Sequence, residues 1–582
     1  MADPQEVLAG RVRDAIVASF GPDYGDVDPL VRPSSFADFQ ANVALPLGKR
    51  LGRPPREVAA ELASRLDVAD VCAEPVVSGP GFINFTLRDD WIAAQASRML
   101  DDPRLGVEPA TRPQTVVVDY SAPNIAKEMH VGHLRSTIVG DAIVRALEFV
   151  GHRVIRDNHV GDWGTQFGML IEYLYEVGED SPEAALQSTD PNAFYQAARR
   201  KFDSDPGFAD RARKRVVDLQ GSDPDTLRLW HEYLNLSQDY LHRIYGRLGV
   251  TLTDVDIRGE SFYNDMLAET VAILEEMGLA VYSDGALCAF PPGFTGRESK
   301  PLPLIVRKSD GGYTYATTDL ATIRYRVDQL QADRAIYVVG SDQSLHFQMV
   351  FAVARQAGWI PEGAVFEHAE IGLVLGPDGH RLRTRSGDNV QLSDLLTEAV
   401  DRARGILDEV DATARFDPAE LDQVAEAVGI GAVKYADLST ARDSAYVFDW
   451  DRMISFRGNT GPYLQYATAR IRSIFRRAGA DADPDIRGSR VAVAAGPERA
   501  LALKLLGFGA TVGRVGETAE PHRLCAYLFE VASLFTTFYE ECPVLKAEPA
   551  ELRASRLALC ALTLRVLSTG LGLLGVPVPE RM

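Results

Sequence analysis

Cysteine is scarce in this chain of 582 residues, and its five cysteines are widely scattered. Because no Cys-x-x-Cys pair occurs, the sequence favours neither a zinc module nor a disulfide-stapled secreted domain. The N-terminus has no basic and then apolar leader of the signal-peptide type. The most apolar late stretch, 557–578, is interrupted by Arg565 and Pro577, so it predicts a buried helix and not a membrane span. These absences predict a cytoplasmic protein outside the membrane, with no protein-bound metal.

Positive charge is also in deficit, with 61 Lys and Arg against 82 Asp and Glu, a net charge of −21. That balance excludes a protein that coats nucleic acid nonspecifically. It leaves room for local basic faces that follow phosphates. The 46% hydrophobic content is ordinary for a globular protein, and the length predicts roughly three to five domains.

Histidine is rare too, with ten in the chain, yet His130 and His133 flank Gly132 in one short motif. An apolar run, 115–118, precedes the motif and an amphipathic run, 134–149, follows it, which predicts a strand, a loop and a helix. The start of a helix offers free N–H groups to a phosphate, Gly132 admits a close ligand, and imidazoles can donate hydrogen bonds. A simple helix cap is the alternative reading, while a metal site would need further ligands, and none lies nearby in the sequence.

The chain divides by its patterns into successive units. Residues 1–110 predict a small α+β accessory domain, with helices at 7–20, 37–51 and 55–66 and a strand-like segment at 76–87 in which Gly79-Pro-Gly81 predicts a turn. Residues 111–400 alternate strands and helices, which predicts an α/β fold with a parallel sheet. A polar helical insertion interrupts this unit near 180–250. A helical junction, 401–460, and an all-α domain, 461–582, complete the prediction. The strands predicted for the second unit are 115–120, 152–158, 304–307, 335–339 and 366–374.

The histidine motif is part of a longer sequence that resembles a known family. Ser121-Ala-Pro-Asn-Ile-Ala-Lys127 precedes it, His133-Leu-Arg-Ser-Thr137 overlaps its end, and Gly161-Asp-Trp-Gly164 lies downstream. These segments resemble class I aminoacyl-tRNA synthetases and, within that class, arginyl-tRNA synthetases. The resemblance implies a Rossmann-like catalytic domain that uses ATP and Mg²⁺ to join L-arginine to tRNA(Arg) through an arginyl-adenylate, releasing AMP and pyrophosphate. It implies a tRNA-elbow-binding N-terminal domain, and we expect a monomer.

Recognition of arginine needs carboxylates in fixed geometry, because the guanidinium is a planar fork of donors. Asp119 follows the first predicted strand of the parallel sheet, where ligands of such sheets bind, and Asn124 lies in the next loop. Tyr315 and Asp319 are four residues apart and therefore share one helical face. The resemblance assigns these four residues and Gln343 to the arginine pocket. Taken singly, Asp119 is better explained as a helix-cap or turn residue and Asp319 as a carboxylate at a helix N-terminus, but their joint placement beside the other family segments favours the pocket.

The segment 337–346 ends a predicted strand with glycine and an acid, a pattern that can hold a ribose. An ordinary polar turn is an equally good reading of these residues alone. The resemblance favours ATP contacts at Gly340, Asp342 and His346, with His130, Gly132 and His133 at the phosphates. It also places the backbone around Leu373 along the adenine.

The second signature of class I synthetases, a lysine-rich KMSKS loop, is represented here by Arg381-Leu-Arg-Thr-Arg385. The loop has no lysine, although arginine can still offer charge to a triphosphate. Lys127 lies three residues before His130, and some arginyl enzymes use a lysine there. We therefore predict Lys127 and Arg385 as the cations beside the pyrophosphate, against the alternative of a solvated basic loop.

Two further segments, 441–450 and 458–470, also match the family closely. They lead into a predicted helix, 464–477, whose basic and aromatic residues suit phosphates and unstacked bases. We predict tRNA contacts at Tyr463, Arg470 and the terminal Met582, although core tyrosines and solvated arginines would give the same pattern. The resemblance implies an anticodon-binding domain, but the Asp-Ala-Leu-Arg tetrapeptide that names it is absent.

Two other functions fit parts of the sequence. A small adenylyltransferase would share the HxGH motif, but it would lack the helical C-terminal domain and the 441–470 segments. A non-catalytic RNA-binding relative would explain the missing loop lysines. The intact His130, Gly132, His133, Asp119 and Asp319 argue against that second alternative.

Overall fold

The computed structural model describes residues 3–125, 127–221, 223–296, 299–383, 390–409, 416–479 and 489–582. Arg385 of the KMSKS-like loop lies outside the described residues, so the prediction for it stays untested.

The N-terminal unit is a four-stranded antiparallel sheet with helices packed against it. Its elements are α1 (Pro4–Phe20), β1 (Val31–Pro33), β2 (Phe39–Ala41), α2 (Ala44–Leu51), α3 (Pro55–Arg65), β3 (Val76–Ser78), β4 (Phe82–Phe85) and α4 (Asp89–Asp101). The strand order is β1-β2-β4-β3. The strand-like segment predicted at 76–87 is a hairpin, because Gly79 and Gly81 have φ values of 52° and 141° and turn the chain. The helix predicted at 37–51 begins only at Ala44, since Phe39 and Ala41 both bury their side chains from a strand.

The second unit contains, in chain order, β5 (Thr115–Asp119), α5 (Val131–Val150), β6 (Arg153–Asp157), α6 (Thr165–Val177), α7 (Leu186–Thr189), α8 (Pro191–Ser204), α9 (Pro206–Gln220), α10 (Pro224–Leu248), α11 (Asn264–Glu276), β7 (Ala280–Ser283), β8 (Ala286–Ala289), β9 (Leu304–Arg307), α12 (Tyr315–Asp328), β10 (Arg334–Tyr337), α13 (Ser344–Gln356), β11 (Val365–His368), β12 (Val374–Leu375) and α14 (Leu392–Glu409).

The central sheet has the order β11-β10-β5-β6 and all of its pairings are parallel. This agrees with the predicted Rossmann-like fold, in which helices cross between strands. α5 is the first crossover, and its buried positions run almost its full length, as expected of a helix packed between layers.

One of the predicted strands belongs to another sheet, and another is divided in two. Residues 304–307 form β9, but β9 pairs antiparallel with β8 in a separate sheet of order β7-β8-β9. The stretch 366–374 divides into β11 and β12. The break falls near Gly372, whose N–H donates to the Arg442 carbonyl at 2.7 Å and turns the chain away from the central sheet. The hydrophobic pattern predicted β structure correctly at these two places, but such a pattern does not indicate which strand is the pairing partner.

The insertion is helical, as predicted, and consists of α7 to α10. α9 packs closely on α6 at Gly168, where an added Cβ would lie 2.3 Å from the Ala212 carbonyl oxygen. Glu172 on α6 is buried and binds Arg211 and Arg215 of α9. The insertion is therefore attached to the sheet domain by both packing and ion pairs.

The C-terminal part is a bundle of helices. After α14 come α15 (Pro418–Leu438), β13 (Tyr446–Val447), α16 (Trp450–Met453), α17 (Gly461–Ala478), α18 (Gly496–Leu505), α19 (Phe508–Thr518), α20 (His522–Glu541) and α21 (Ala550–Leu573). β13 pairs in parallel with β12 and so connects this part to the second unit. α21 is apolar and long enough to cross a membrane, but 78% of its most apolar 18-residue window is buried in the bundle, as in a core helix.

Candidate active site

Four side chains stand in one row at the carboxyl edge of the central sheet. The register pairs Asp157 with Asp119, Asp119 with Tyr337, and Tyr337 with His368 across β6, β5, β10 and β11. This is the edge at which doubly wound sheets bind their ligands. The predicted position of Asp119 at the end of its strand is therefore confirmed.

The row is bound to a buried arginine from α12. The Arg326 guanidinium donates through Nη2 to Asp119 Oδ2 at 2.6 Å and to Asp157 Oδ2 at 2.9 Å. It also lies 4.5 Å from the Tyr337 ring centroid. Burial raises the pKa of Asp119 even though Arg326 opposes this, and the neighbouring Asp157 charge raises it further. Asp119 Oδ1 is buried without a hydrogen-bond partner among the described residues.

Tyr315 and Asp319 do lie on one face at the start of α12, and both meet His346 from α13. Asp319 Oδ2 lies 2.6 Å from His346 Nε2, and the rings of Tyr315 and His346 are 4.8 Å apart between centroids. Burial is the largest cause of the raised pKa of Tyr337. The charges of Asp119 and Asp319 raise that pKa further. The two acids of the predicted pocket therefore lie around one ring. His346, predicted for ATP, contacts two residues that were predicted for the arginine pocket.

Sequence reasoning missed a third carboxyl, Glu260, which begins a short 3-10 helix (Glu260–Tyr263) between α10 and α11. Burial raises the pKa of Glu260 to about 7, with Asp162 and Asp319 adding to the rise and His159 opposing it. A desolvated acid near other carboxylates is less stable as an anion, and a nearby cation would stabilise its ionised form. The one clue to Glu260 in the sequence was Asp162 of the Gly161-Asp-Trp-Gly164 segment. Its carboxylate accepts hydrogen bonds from the N–H (2.9 Å) and the hydroxyl (2.5 Å) of Ser261, the residue after Glu260.

The two signature histidines cap the N-terminus of α5. His130 Nδ1 accepts the Gly132 N–H at 3.0 Å, and His133 Nδ1 accepts the His130 N–H at 3.1 Å. Each neutral ring therefore carries its proton on Nε2 and presents that nitrogen as a donor. Burial lowers the pKa of both histidines, that of His133 to about 3. The pair is thus uncharged at physiological pH and offers hydrogen bonds at the positive end of a helix.

The local structure around the histidines also requires glycine at position 132. A Cβ at this position would lie 2.8 Å from Cε1 of the His130 ring. The missing side chain therefore permits the His130 cap, in addition to the close nucleotide approach that the sequence predicts.

A buried network holds the loop that leads to the histidines. Ser121 and Ala122 have φ values of 71° and 44°, a conformation that costs free energy in residues with a Cβ. The Ala122 N–H donates to Asn158 Oδ1 at 3.0 Å, and Ser121 Oγ lies 2.7 Å from the hydroxyl of Tyr245. Tyr245 belongs to α10, so the insertion supports the catalytic loop. No motif in the sequence marked Tyr245.

The other predicted ATP and arginine residues cluster along the same edge. Gly340 forms a parallel bridge with Ile371, and Asn124 forms one with Gly161. The side chains of Asp342, Gln343 and Leu373 are exposed there. Lys127 is exposed, and its ammonium lies 4.5 Å from the centroid of the Tyr195 ring in the insertion.

Two of the three predicted tRNA contacts line one cavity in the C-terminal helical bundle. Arg470 on α17 lies with its guanidinium 4.2 Å from the Tyr539 ring centroid. The cavity measures about 360 Å³ and is lined by Phe416, Tyr466, Ala469, Arg470, Ser473, Arg476, Arg581 and Met582. Tyr463 instead contacts Phe529 and Thr536 of α20. The structure therefore brings Arg470 and Met582 together and leaves Tyr463 on the bundle-facing side.

A parallel sheet whose ligand edge faces a histidine-capped helix, joined to a helical C-terminal bundle, defines a class I aminoacyl-tRNA synthetase. Family models agree with this class. The chain matches the class I (R) tRNA synthetase catalytic domain over residues 95–450, the DALR anticodon binding domain over 464–582, and the arginyl-tRNA synthetase N-terminal domain over 6–87.

Individual relatives cover the chain from end to end. It is 63% identical to the arginine–tRNA ligase of Thermobifida fusca and 50% identical to that of Synechococcus elongatus, each over 100% of both chains. Among solved structures, the arginyl-tRNA synthetase of Plasmodium falciparum superposes with a TM-score of 0.86 at 30% identity over 100% of both chains. That of Thermus thermophilus gives 0.79 at 27% identity, over 99% of this chain and 100% of the other. The chain belongs to the arginyl-tRNA synthetase family.

Proposed function

We propose that the cleft at the carboxyl edge of the central sheet binds arginine on one side and ATP on the other, and that L-arginine is joined there to tRNA(Arg) in two steps. The overall reaction follows from family membership: the arginine carboxylate attacks the α-phosphate of ATP, and the tRNA ribose then takes the arginyl group. The observations that carry the assignment of residues are the Glu260 carboxyl, whose pKa burial and the Asp162 and Asp319 charges raise, the contact of Asp319 with His346, and the neutral histidine pair at the start of α5.

On the arginine side, Asp319, Glu260 and Asp119 Oδ1 receive the positive charge of the substrate. Tyr315 covers the pocket through its contact with His346, and Asn124 and Gln343 supply polar contacts. Lysine would meet the same carboxyls with one compact ammonium, which cannot span separated acceptors as a planar fork does. Selectivity for arginine therefore rests on the spacing of the acids.

On the ATP side, His130 and His133 donate from Nε2 to oxygens of the reacting phosphate, while Gly132 lets it approach the helix start. Gly340 and Asp342 hold the ribose, and the backbone around Leu373 lies along the adenine. Such reactions depend on positioning and charge stabilisation more than on covalent catalysis. We therefore assign no nucleophile to the protein.

Lys127 and Arg385 neutralise the departing pyrophosphate in this proposal. Mg²⁺ would enter with the triphosphate, because the described residues contain no group of three or more His, Cys, Asp or Glu side chains able to hold a metal.

The outer domains bind the tRNA. We assign residues 1–110 to the tRNA elbow and 461–582 to the anticodon. Arg470 and Met582 line the binding cavity, and Tyr463 supports α17 from behind. Residues 111–400 form the catalytic domain and 401–460 the junction, although α14 runs continuously through position 400.

We further propose a cytoplasmic monomer. The five cysteines are all buried and unpaired, which fits a reducing compartment. α21 fits the same proposal as a buried core helix.

ATP–pyrophosphate exchange across all amino acids, with and without tRNA(Arg), tests the activity. We expect exchange with arginine alone among the amino acids. Exchange with another amino acid would refute the substrate assignment. No exchange under either condition would favour the non-catalytic RNA-binding alternative.

A further inference from the structure

We propose that Tyr195, in the helical insertion, is a positioning residue that holds the ammonium of Lys127 ready for the phosphates of ATP. The inference rests on the role proposed above for Lys127. It adds a reason why a lysine on an exposed loop can replace the lysine that the KMSKS-like loop lacks.

The insertion holds the backbone on both sides of Lys127. On α10, the Ser237 hydroxyl donates to the Ile125 carbonyl at 2.9 Å, and the Tyr240 hydroxyl accepts the Met129 N–H at 3.1 Å. Ser237 and Tyr240 are three residues apart and so share one face of the helix. The loop segment that carries Lys127 is therefore fixed to α10 at both ends.

The insertion also holds the side chain of Lys127. The ammonium lies 4.5 Å from the centroid of the Tyr195 ring, within the range of a cation–π interaction. Tyr195 is itself fixed, because it is only 9% exposed and lies near the start of α8, where the Asp190 side chain caps the helix by accepting the Ala193 N–H at 2.9 Å.

Lys127 lies three residues before His130 in the chain. Its positive charge contributes to lowering the pKa of both signature histidines, after burial for His130 and after burial and the His130 charge for His133. A lysine side chain has four rotatable bonds and loses much conformational entropy when it is fixed. A ring that restricts the lysine before ATP arrives therefore removes part of that cost from the reaction.

The test compares five variants by the kcat/KM for ATP in aminoacylation of tRNA(Arg). Tyr195→Leu removes the ring face and is expected to lower kcat/KM for ATP by about 3- to 30-fold, the range of a single cation–π contact. Tyr195→Phe keeps the ring and is expected to retain most of the wild-type value. The KM for arginine is expected to stay unchanged in both variants. Tyr175→Leu is the matched control, because it removes a ring that contacts Arg215 elsewhere in the insertion.

Lys127→Ala, alone and with Tyr195→Leu, separates positioning from a merely structural role. We expect Tyr195→Leu to have no further effect once Lys127 is alanine. The same loss in both backgrounds, or a loss equal to that of Tyr175→Leu, would overturn the inference while leaving Lys127 in its proposed role. Unchanged activity of Lys127→Ala would instead refute the proposed function of Lys127.

Discussion

The proposed arginine side and the proposed ATP side of the cleft are built in opposite ways. On the arginine side, Asp119 and Asp157 are bound to Arg326, and these three side chains are buried at the sheet edge. On the ATP side, the neutral His130 and His133 cap a helix, and the nearby Lys127 is exposed.

The difference follows from what each side must do. A guanidinium is recognised by acceptors at fixed positions, so rigid, partly paired carboxyls favour specificity. A triphosphate must enter, react and leave as pyrophosphate, so neutral donors at a helix end and a cation on a loop favour turnover. Four substitutions measure this contrast, and we give them from the largest expected effect to the smallest.

Replacing Arg326 by Met tests whether the arginine side depends on its buried ion pairs. We expect a loss of about 3–5 kcal/mol in the unfolding free energy of the catalytic unit, since two buried carboxyls lose their cation. Denaturant unfolding measures it, with Arg199→Met as the control because its pair with Asp203 is exposed. Equal stability of the two variants would show that the Arg326 pairs contribute nothing.

Replacing His133 by Ala tests the ATP side. We expect kcat of pyrophosphate exchange to fall by about 100- to 1,000-fold, the effect of removing a donor to developing negative charge. Equilibrium binding of arginine is expected to persist, and His231→Ala on the exposed side of α10 serves as the control. A variant that kept its exchange rate but lost arginine binding would assign His133 to the arginine side and not to the ATP side.

Replacing Asp319 by Asn tests recognition of the substrate cation. We expect the KM for arginine to rise by about 10- to 100-fold, because a hydrogen bond to a charged group is lost, while the KM for ATP changes little. Asp328→Asn, at the far end of the same helix, provides the comparison. Unchanged arginine affinity would remove Asp319 from the pocket.

The pH dependence of the arginine KM tests Glu260. Its pKa is raised to about 7, so the carboxyl is largely neutral at pH 6 and ionised at pH 8. An ionised acid binds a cation better, so kcat/KM for arginine is expected to rise up to about tenfold between pH 6 and pH 8 and to level off at either end. Glu260→Gln is expected to remove this slope and keep the low-pH value at every pH. A slope that survives in Glu260→Gln would assign the titration to another group.

Local patterns in the sequence predicted the parts of the cleft that are near one another in the chain. The strand before Asp119, the helix after His130 and the shared face of Tyr315 and Asp319 all follow from spacings of a few residues. The pairing of Asp119 with Arg326 joins residues 207 positions apart, and no periodicity reports such a contact.

Contacts between residues far apart in the chain also explain why the sequence did not indicate Glu260 and Tyr245 and why one strand was assigned to the wrong sheet. Glu260 acquires its raised pKa from burial and from acids on other elements, so its own neighbours in the sequence say nothing about it. Tyr245 reaches the signature loop from a helix that looked like a polar insertion. β9 was identified as a strand but assigned to the parallel sheet, because pairing is decided by tertiary packing.

A crystal structure with a non-hydrolysable arginyl-adenylate analogue tests the central claim most directly. The account predicts that the guanidinium lies within hydrogen-bond distance of Asp319 and Glu260, while Nε2 of His130 or His133 donates to the group that replaces the phosphate. A guanidinium bound elsewhere, with Asp319 still bonded only to His346, would contradict it.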